Sequence, residues 1–257
     1  MKRRNFLTAS AAAGMAAAAS ADAPTRAWYQ LTCYYMRSGT QGNRTSDYLR
    51  DIWLPAAKRA GAGPVGIFNA VIAEHSPFAL VLASYPSLAA FETAQDRMAA
   101  DVEYRKGADA YNNIADPPYV RMESSLLRAF PGFPAIEVPA NDGKRPARIF
   151  EMRTYESVNE KASLRKVGMF ESGEIAVFRK VGMIPVFFAQ GVLGTALPKI
   201  TYMLSYDDLE ARDRVWRAFG SDPEWQKLRS QPGLSDAEIV SNISNAILRP
   251  AAYSDLR

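Results

Sequence analysis

The chain has one cysteine, one histidine and, past its N-terminal end, no long apolar run. Cys33 alone cannot form an intrachain disulfide, so stability has to come from packing. His75 alone rules out mechanisms that need two imidazoles, the common multi-histidine metal centres among them, so no metal site is expected. No internal segment approaches the roughly 18 apolar residues that span a bilayer, and the mature chain is expected to have no membrane span. Gly-rich phosphate loops, a Gly-x-Ser-x-Gly elbow and Cys-x-x-Cys pairs are also missing, and no cofactor is expected.

A real excess of charge is missing too. The formal net charge is +4, but Met1-Lys2-Arg3-Arg4-Asn5-Phe6-Leu7 sets paired arginines ahead of Phe-Leu and a weakly apolar alanine run. This reads as a twin-arginine export signal over residues 1–21, cut after Ala21, with the periplasm as destination. An ordinary secretory leader or a basic tail is the alternative. Cleavage there removes three basic residues and no acid, so the mature chain carries +1. A protein that grips phosphates needs a basic face that survives processing, and no nucleic-acid partner is expected. Lys161, Arg165 and Lys166, and the pair Arg179-Lys180, sit on a helical pattern and read as a solvated face.

What the chain does have is a repeat at a constant offset of 121 residues. Tyr34 falls on Tyr155, Pro64-Val65 on Pro185-Val186, Ser84-Tyr85 on Ser205-Tyr206, Leu88 on Leu209, Asp101 and Glu103 on Asp222 and Glu224, and Leu127-Arg128 on Leu248-Arg249. Matches that hold one register without a gap are what tandem duplication of a folded unit leaves behind. The expected layout is a leader (1–21), a first copy (22–130), a Pro-rich linker with an Asn-Asp-Gly turn (131–147), a second copy (148–250) and a tail (251–257).

Each copy reads strand, helix, strand, strand, helix, strand. Hairpins are expected around Glu74-His75-Ser76-Pro77 and between Gln190 and Lys199. Ser87 and Asp207-Asp208 stand where helices begin, and Pro55 is expected to kink or break the first helix. Gly107 to Pro118 lacks clear periodicity. The order β-α-β-β-α-β is the ferredoxin-like pattern, an α+β fold in which helices cover one sheet face and leave the other bare. Two bare faces in one chain can close on each other as an intrachain α/β-barrel, and further homo-oligomerisation is open.

At this point the second copy resembles the NIPSNAP family. Phe150-Glu151-Met152-Arg153-Thr154-Tyr155-Glu156 is similar to its opening strand. Val181 to Val186, Leu204-Ser205-Tyr206-Asp207-Asp208-Leu209 and Ser221-Asp222-Pro223-Glu224-Trp225 agree in order. The resemblance covers about residues 148–250 strongly and the first copy weakly. It implies the dimeric α/β-barrel arrangement shared with small antibiotic-biosynthesis-type monooxygenases, and no established reaction. The first copy departs from the pattern, with Gln30 and Thr32 at the offsets of Glu151 and Arg153.

Strand alternation puts Glu151, Arg153 and Tyr155 on one face and Phe150, Met152 and Thr154 on the other. With Phe150 and Met152 packed on helices, the polar trio is expected to point into the barrel. There Arg153, Glu151 and Tyr155, with Tyr206 nearby and Tyr34 contributed by the first copy, form the candidate site for a small molecule. A self-satisfied buried ion pair that fixes strand register is the plainer reading of the same charges, and the favoured one. His75 falls in a hairpin turn, and Cys33 is expected to be buried and inert. The functional expectation is a small-molecule-binding or interaction protein; the alternative is a cofactor-independent monooxygenase-like enzyme acting on a phenolic or carbonyl compound.

Overall fold

The computed structural model describes residues 25–141 and 146–257, and the expected leader and part of the linker turn lie outside them. The first copy runs β1 (Trp28–Tyr35), α1 (Thr40–Tyr48), α2 (Leu54–Ala60), β2 (Val65–Ile72), β3 (Phe78–Tyr85), α3 (Leu88–Ala100), α4 (Val102–Asn112) and β4 (Arg121–Ala129). The second runs β5 (Ile149–Ser157), α5 (Glu160–Met169), α6 (Ile175–Lys180), β6 (Ile184–Leu193), β7 (Lys199–Tyr206), α7 (Leu209–Ser221), α8 (Pro223–Arg229), α9 (Asp236–Ile239) and β8 (Val240–Pro250). The bounds of β3 and α3 map onto β7 and α7 at the same offset of 121, and β2 and β6 share their last position at it.

Local chemistry explains the boundaries. Ser87, Asn159 and Asp208 each accept a hydrogen bond from a backbone N–H of the first turn of α3, α5 and α7, replacing a partner the helix itself cannot supply. Gly61 closes α2 at φ 106°, a left-handed conformation that a Cβ would strain. One π-helical turn joins α1 to α2 (Leu49–Trp53) and another joins α5 to α6 (Phe170–Glu174). Pro55, expected to break its helix, stands just after the first. The second has Ala176 at that offset, so proline is not what makes the turn.

The strands run β4-β1-β3-β2 in one copy and β8-β5-β7-β6 in the other, and both pairs of edges join, β2 to β8 and β4 to β6. All the pairings are antiparallel, and the eight strands close into one barrel with no free edge. The bare faces expected from sequence have become its inner wall. Tyr29, Leu31 and Phe68 from the first copy meet Phe150, Phe187 and Met203 from the second in a common lumen core. Each copy has its own second core between sheet and helices.

That division reverses one expectation. Phe150 and Met152 face the lumen, where the Phe150 ring lies 4.9 Å from that of Phe68. Glu151, Arg153 and Tyr155 therefore lie on the helix side, beneath α7. Alternation fixes which residues share a face but not which face is which. Here the large apolar set serves the lumen, which both copies must fill. Lys166, expected in solvent, is buried between Glu174 at 3.4 Å and Asp236 at 3.3 Å, with the rings of Tyr155, Phe170 and Trp225 around it.

The C-terminal segment folds back across the first copy. Asp255 accepts from Val65 N, Ser254 Oγ from Ile67 N, and Leu256 is fully buried in the lumen core. The linker is anchored as well, with Phe133 packed on Phe188 and Pro134 O accepting from Ala27 N.

Candidate functional site

Five residues were expected to form a site, and the structure brings four of them together. Glu151, the third residue of β5, is fully buried. Its Oε1 accepts from Arg153 Nη1 at 2.9 Å, Arg212 Nη2 at 2.8 Å and Asn245 Nδ2 at 3.1 Å. Its Oε2 accepts from Arg212 Nε at 2.9 Å, Trp216 Nε1 at 2.9 Å and the Tyr206 hydroxyl at 3.2 Å. Tyr155 joins through its hydroxyl, 2.9 Å from that of Tyr202 and 3.4 Å from Arg153 Nη2. The Arg153 guanidinium lies over the Trp216 ring at 4.7 Å.

Burial alone would raise the Glu151 carboxyl, but the Arg212 hydrogen bonds and the Arg153 charge outweigh it and hold the group at about 2. A carboxylate offers about four lone-pair directions, and six donors saturate it. Glu151 therefore stays ionised near neutral pH, with both oxygens engaged by the protein's own donors. These hydrogen bonds tie β5 to β7, β8 and α7, in keeping with the plainer of the two readings of these charges. Arg212, Trp216 and Asn245 were not expected. Arg212 and Trp216 are four residues apart, one helical turn, so the signal lay in α7's spacing.

Tyr34 does not join this cluster. It lies on the helix side of its own sheet, with its ring 5.6 Å from that of Tyr119, and lines a cavity of about 260 Å³ in the first copy. The cavity occupies the place of the Glu151 cluster. Stepping back by 121 residues turns Glu151 into Gln30, Arg153 into Thr32, Arg212 into Phe91 and Trp216 into Gln95, while Phe178 becomes Ala57 and Tyr202 becomes Val81. Charges are lost and rings shrink, and the volume that side chains fill in the second copy stands open in the first.

The walls are aromatic. Tyr48 and Tyr111 stack with centroids 4.1 Å apart, Trp53 comes from the π-helical turn, and Tyr104 and Tyr119 complete the ring. Gln30, Thr32, Gln95 and Asn112 supply uncharged hydrogen-bonding groups. Tyr48 and Tyr104 share a hydroxyl contact at 3.2 Å, and Thr45 Oγ1 lies 2.8 Å from the Tyr111 hydroxyl. Burial pushes the phenols of Tyr34, Tyr48 and Tyr111 up, so they stay protonated. No carboxylate or imidazole lines the cavity. His75 is exposed in its turn, and burial pushes the Cys33 thiol up to about 11, which leaves it un-ionised in the lumen wall.

Tyr104 and Tyr111 ride on α4, a helix that sequence periodicity did not reveal. Its cap did leave a trace: Asp101 accepts from Tyr104 N, as Asp222 accepts from Trp225 N at the same offset.

Similar architecture occurs in known structures. A protein from Fusobacterium nucleatum provisionally named a monooxygenase aligns with a TM-score of 0.55 at 10% identity, over 88% of this chain and 93% of that one. An anthrone oxidase-like protein aligns with a TM-score of 0.55 at 9% identity, over 89% and 93%. At these identities the likeness is one of fold. An uncharacterised NIPSNAP-like domain protein from Burkholderia xenovorans is 25% identical over 42% of this chain and 89% of its own, with a TM-score of 0.38. A sequence search of functionally curated proteins returns no match. The sequence model of the NIPSNAP family matches twice, at residues 29–132 and 150–255, once for each half of the barrel, and the chain belongs to the NIPSNAP family.

Proposed function

We propose that the protein binds a small, uncharged, planar aromatic compound, phenolic or quinone-like, in the first copy's cavity, and that the second copy is its structural counterpart. The carrying observation is the contrast between two equivalent places, one saturated by charge and the other hollow and ringed by Tyr34, Tyr48, Trp53, Tyr104, Tyr111 and Tyr119. At about 260 Å³ the cavity lies just below the usual range of ligand pockets, about 300–1,000 Å³, which suits a small compound of one to three fused rings. Aromatic walls favour stacking and edge contacts, and the amide and hydroxyl groups can orient a phenol or carbonyl oxygen. One structural neighbour is named anthrone oxidase-like, and anthrone is an aromatic ketone of this kind. Binding is preferred to catalysis because no group on the cavity wall can accept a proton from a phenol near neutral pH.

Calorimetric titration with phenols, naphthols and anthrone is the test. Saturable binding is expected, and Gln95→Trp, which gives the first copy the ring that fills the second, is expected to abolish it while the chain stays folded. Binding that survives Gln95→Trp places the ligand elsewhere; oxygen uptake with any of these compounds favours the monooxygenase-like alternative. The reading extends to location, with Arg3-Arg4-Asn5-Phe6-Leu7 directing twin-arginine export to the periplasm. Changing both arginines to lysine is expected to keep the protein out of the periplasmic fraction, and undiminished export of that variant would sink the assignment.

A further inference from the structure

The lumen is filled at one end only. Towards the β2–β3 turn and the β6–β7 loop its packed core gives way to a cavity of about 370 Å³ bounded by both copies, with Cys33, Thr154, Thr201 and Lys199 on its walls. It lies inside the barrel, and the aromatic cavity lies outside it, beneath the helices of the first copy.

Lys199 is the unusual member. It opens β7 and is only 8% exposed, yet among the described residues no carboxylate lies within ion-pair distance of its amine. Its Nζ meets a hydroxyl instead, Ser125 Oγ on β4 at 3.1 Å. To reach it the side chain crosses β6 at Gly191, where a Cβ would fall 2.8 Å from Lys199 Cγ. The missing side chain at Gly191 is therefore what lets the amine stand where it does. The nearby acids are engaged with other groups: Glu156 Oε1 accepts from Asn242 Nδ2, and Glu123 accepts from Arg121 Nε and the Tyr35 hydroxyl. A buried ammonium without a counter-ion is costly, and burial lowers the Lys199 amine toward its neutral form.

We propose that Lys199 is a nucleophilic amine that captures a small neutral aldehyde or ketone in the barrel lumen. The amine nitrogen adds to the carbonyl carbon to give a carbinolamine. Loss of the former carbonyl oxygen with the two amine protons as one water leaves an imine between Lys199 and the ligand. Neutral ligands are specified by the surroundings, because Glu74, Glu123 and Glu156 line the same cavity and repel anions. Thr154 and Thr201, whose hydroxyls are 3.2 Å apart, offer the carbonyl oxygen a hydrogen-bond partner.

The test is reductive trapping of the full chain with benzaldehyde and cyanoborohydride at neutral pH, followed by intact mass and peptide mapping. The hydride reduces the imine to a stable secondary amine, and the first adduct on each chain is expected on the Lys199 peptide. Lys199→Arg is expected to lose that adduct, and Thr154→Phe, which leaves the amine in place and fills its cavity, to slow its formation. Adducts spread over the exposed lysines, with Lys199 unmodified in the wild-type protein, overturn the proposal without need of any variant. Equal labelling in Thr154→Phe also overturns it, by showing that the cavity is not where the carbonyl is held.

Discussion

Glu151 shows how fully a fold can engage a charged residue in a strand. Its six donors come from β5, β7, β8 and α7, so losing one partner strands charge in the interior. Arg212→Ala is expected to cost about 3–5 kcal/mol in denaturant unfolding, as breaking a buried pair does. The sign of the pH dependence follows from the depressed carboxyl. The folded group sits at about 2 against an ordinary 4.5, so its contribution is complete above pH 4.5 and is lost as pH falls towards 2, about 3 kcal/mol in all. Glu151→Gln is expected to flatten that acid limb of the stability profile, and a limb of unchanged slope would remove Glu151 as its cause. Alternation made the grouping of Glu151, Arg153 and Tyr155 legible in the sequence, and Tyr206 does lie beside them as expected. The face was not legible, because two alternating sets on one strand leave open which side the helices cover. Tyr34 was misplaced for the same reason: its equivalence to Tyr155 was real, but each tyrosine belongs to its own copy's core.

At the scale of elements, the paired π-helical turns decide what reaches each helix-side core. The extra residue per turn re-aims the side chains that follow, which is why such turns recur at binding sites. In the first copy the turn carries Trp53 to the cavity; in the second it carries Glu174 to Lys166, where burial pushes the carboxyl up to about 7. Neither turn leaves a mark in hydrophobic spacing, which averages over the helix, although Pro55 stands beside the first and Gly173 inside the second. Strand order, hairpins and caps were legible because each depends on local residues. The docking of residues 251–257 was not, since it depends on a groove that only the closed barrel creates. Deleting Ala251 to Arg257 removes the fully buried Leu256 and the Asp255 and Ser254 contacts to β2. The expected loss is about 2–4 kcal/mol, read as a lower denaturant midpoint. An unchanged midpoint would mean that this segment covers the first copy without supporting it.

For the whole molecule, duplication turns two open sheets into one closed surface, and the consequence is cooperative. The lumen core belongs to neither copy: Phe68 touches Phe150, and Tyr29 meets Phe187 at 5.3 Å. Both seams, β2 with β8 and β4 with β6, also cross between copies. Opening either unit exposes the apolar wall of the other together with two strand edges, a state far less stable than the barrel. The two copies are therefore expected to unfold in a single calorimetric transition whose van't Hoff enthalpy matches the measured one. Phe150→Ala, which empties lumen volume shared by both, is expected to lower that one transition by about 3–5 kcal/mol without splitting it. Amide exchange supplies the independent measurement, because protection should fall together in β1 to β4 and in β5 to β8. Two resolved transitions, or protection lost only in the second copy, would show that the halves are separate domains in contact and that closure adds little to their stability.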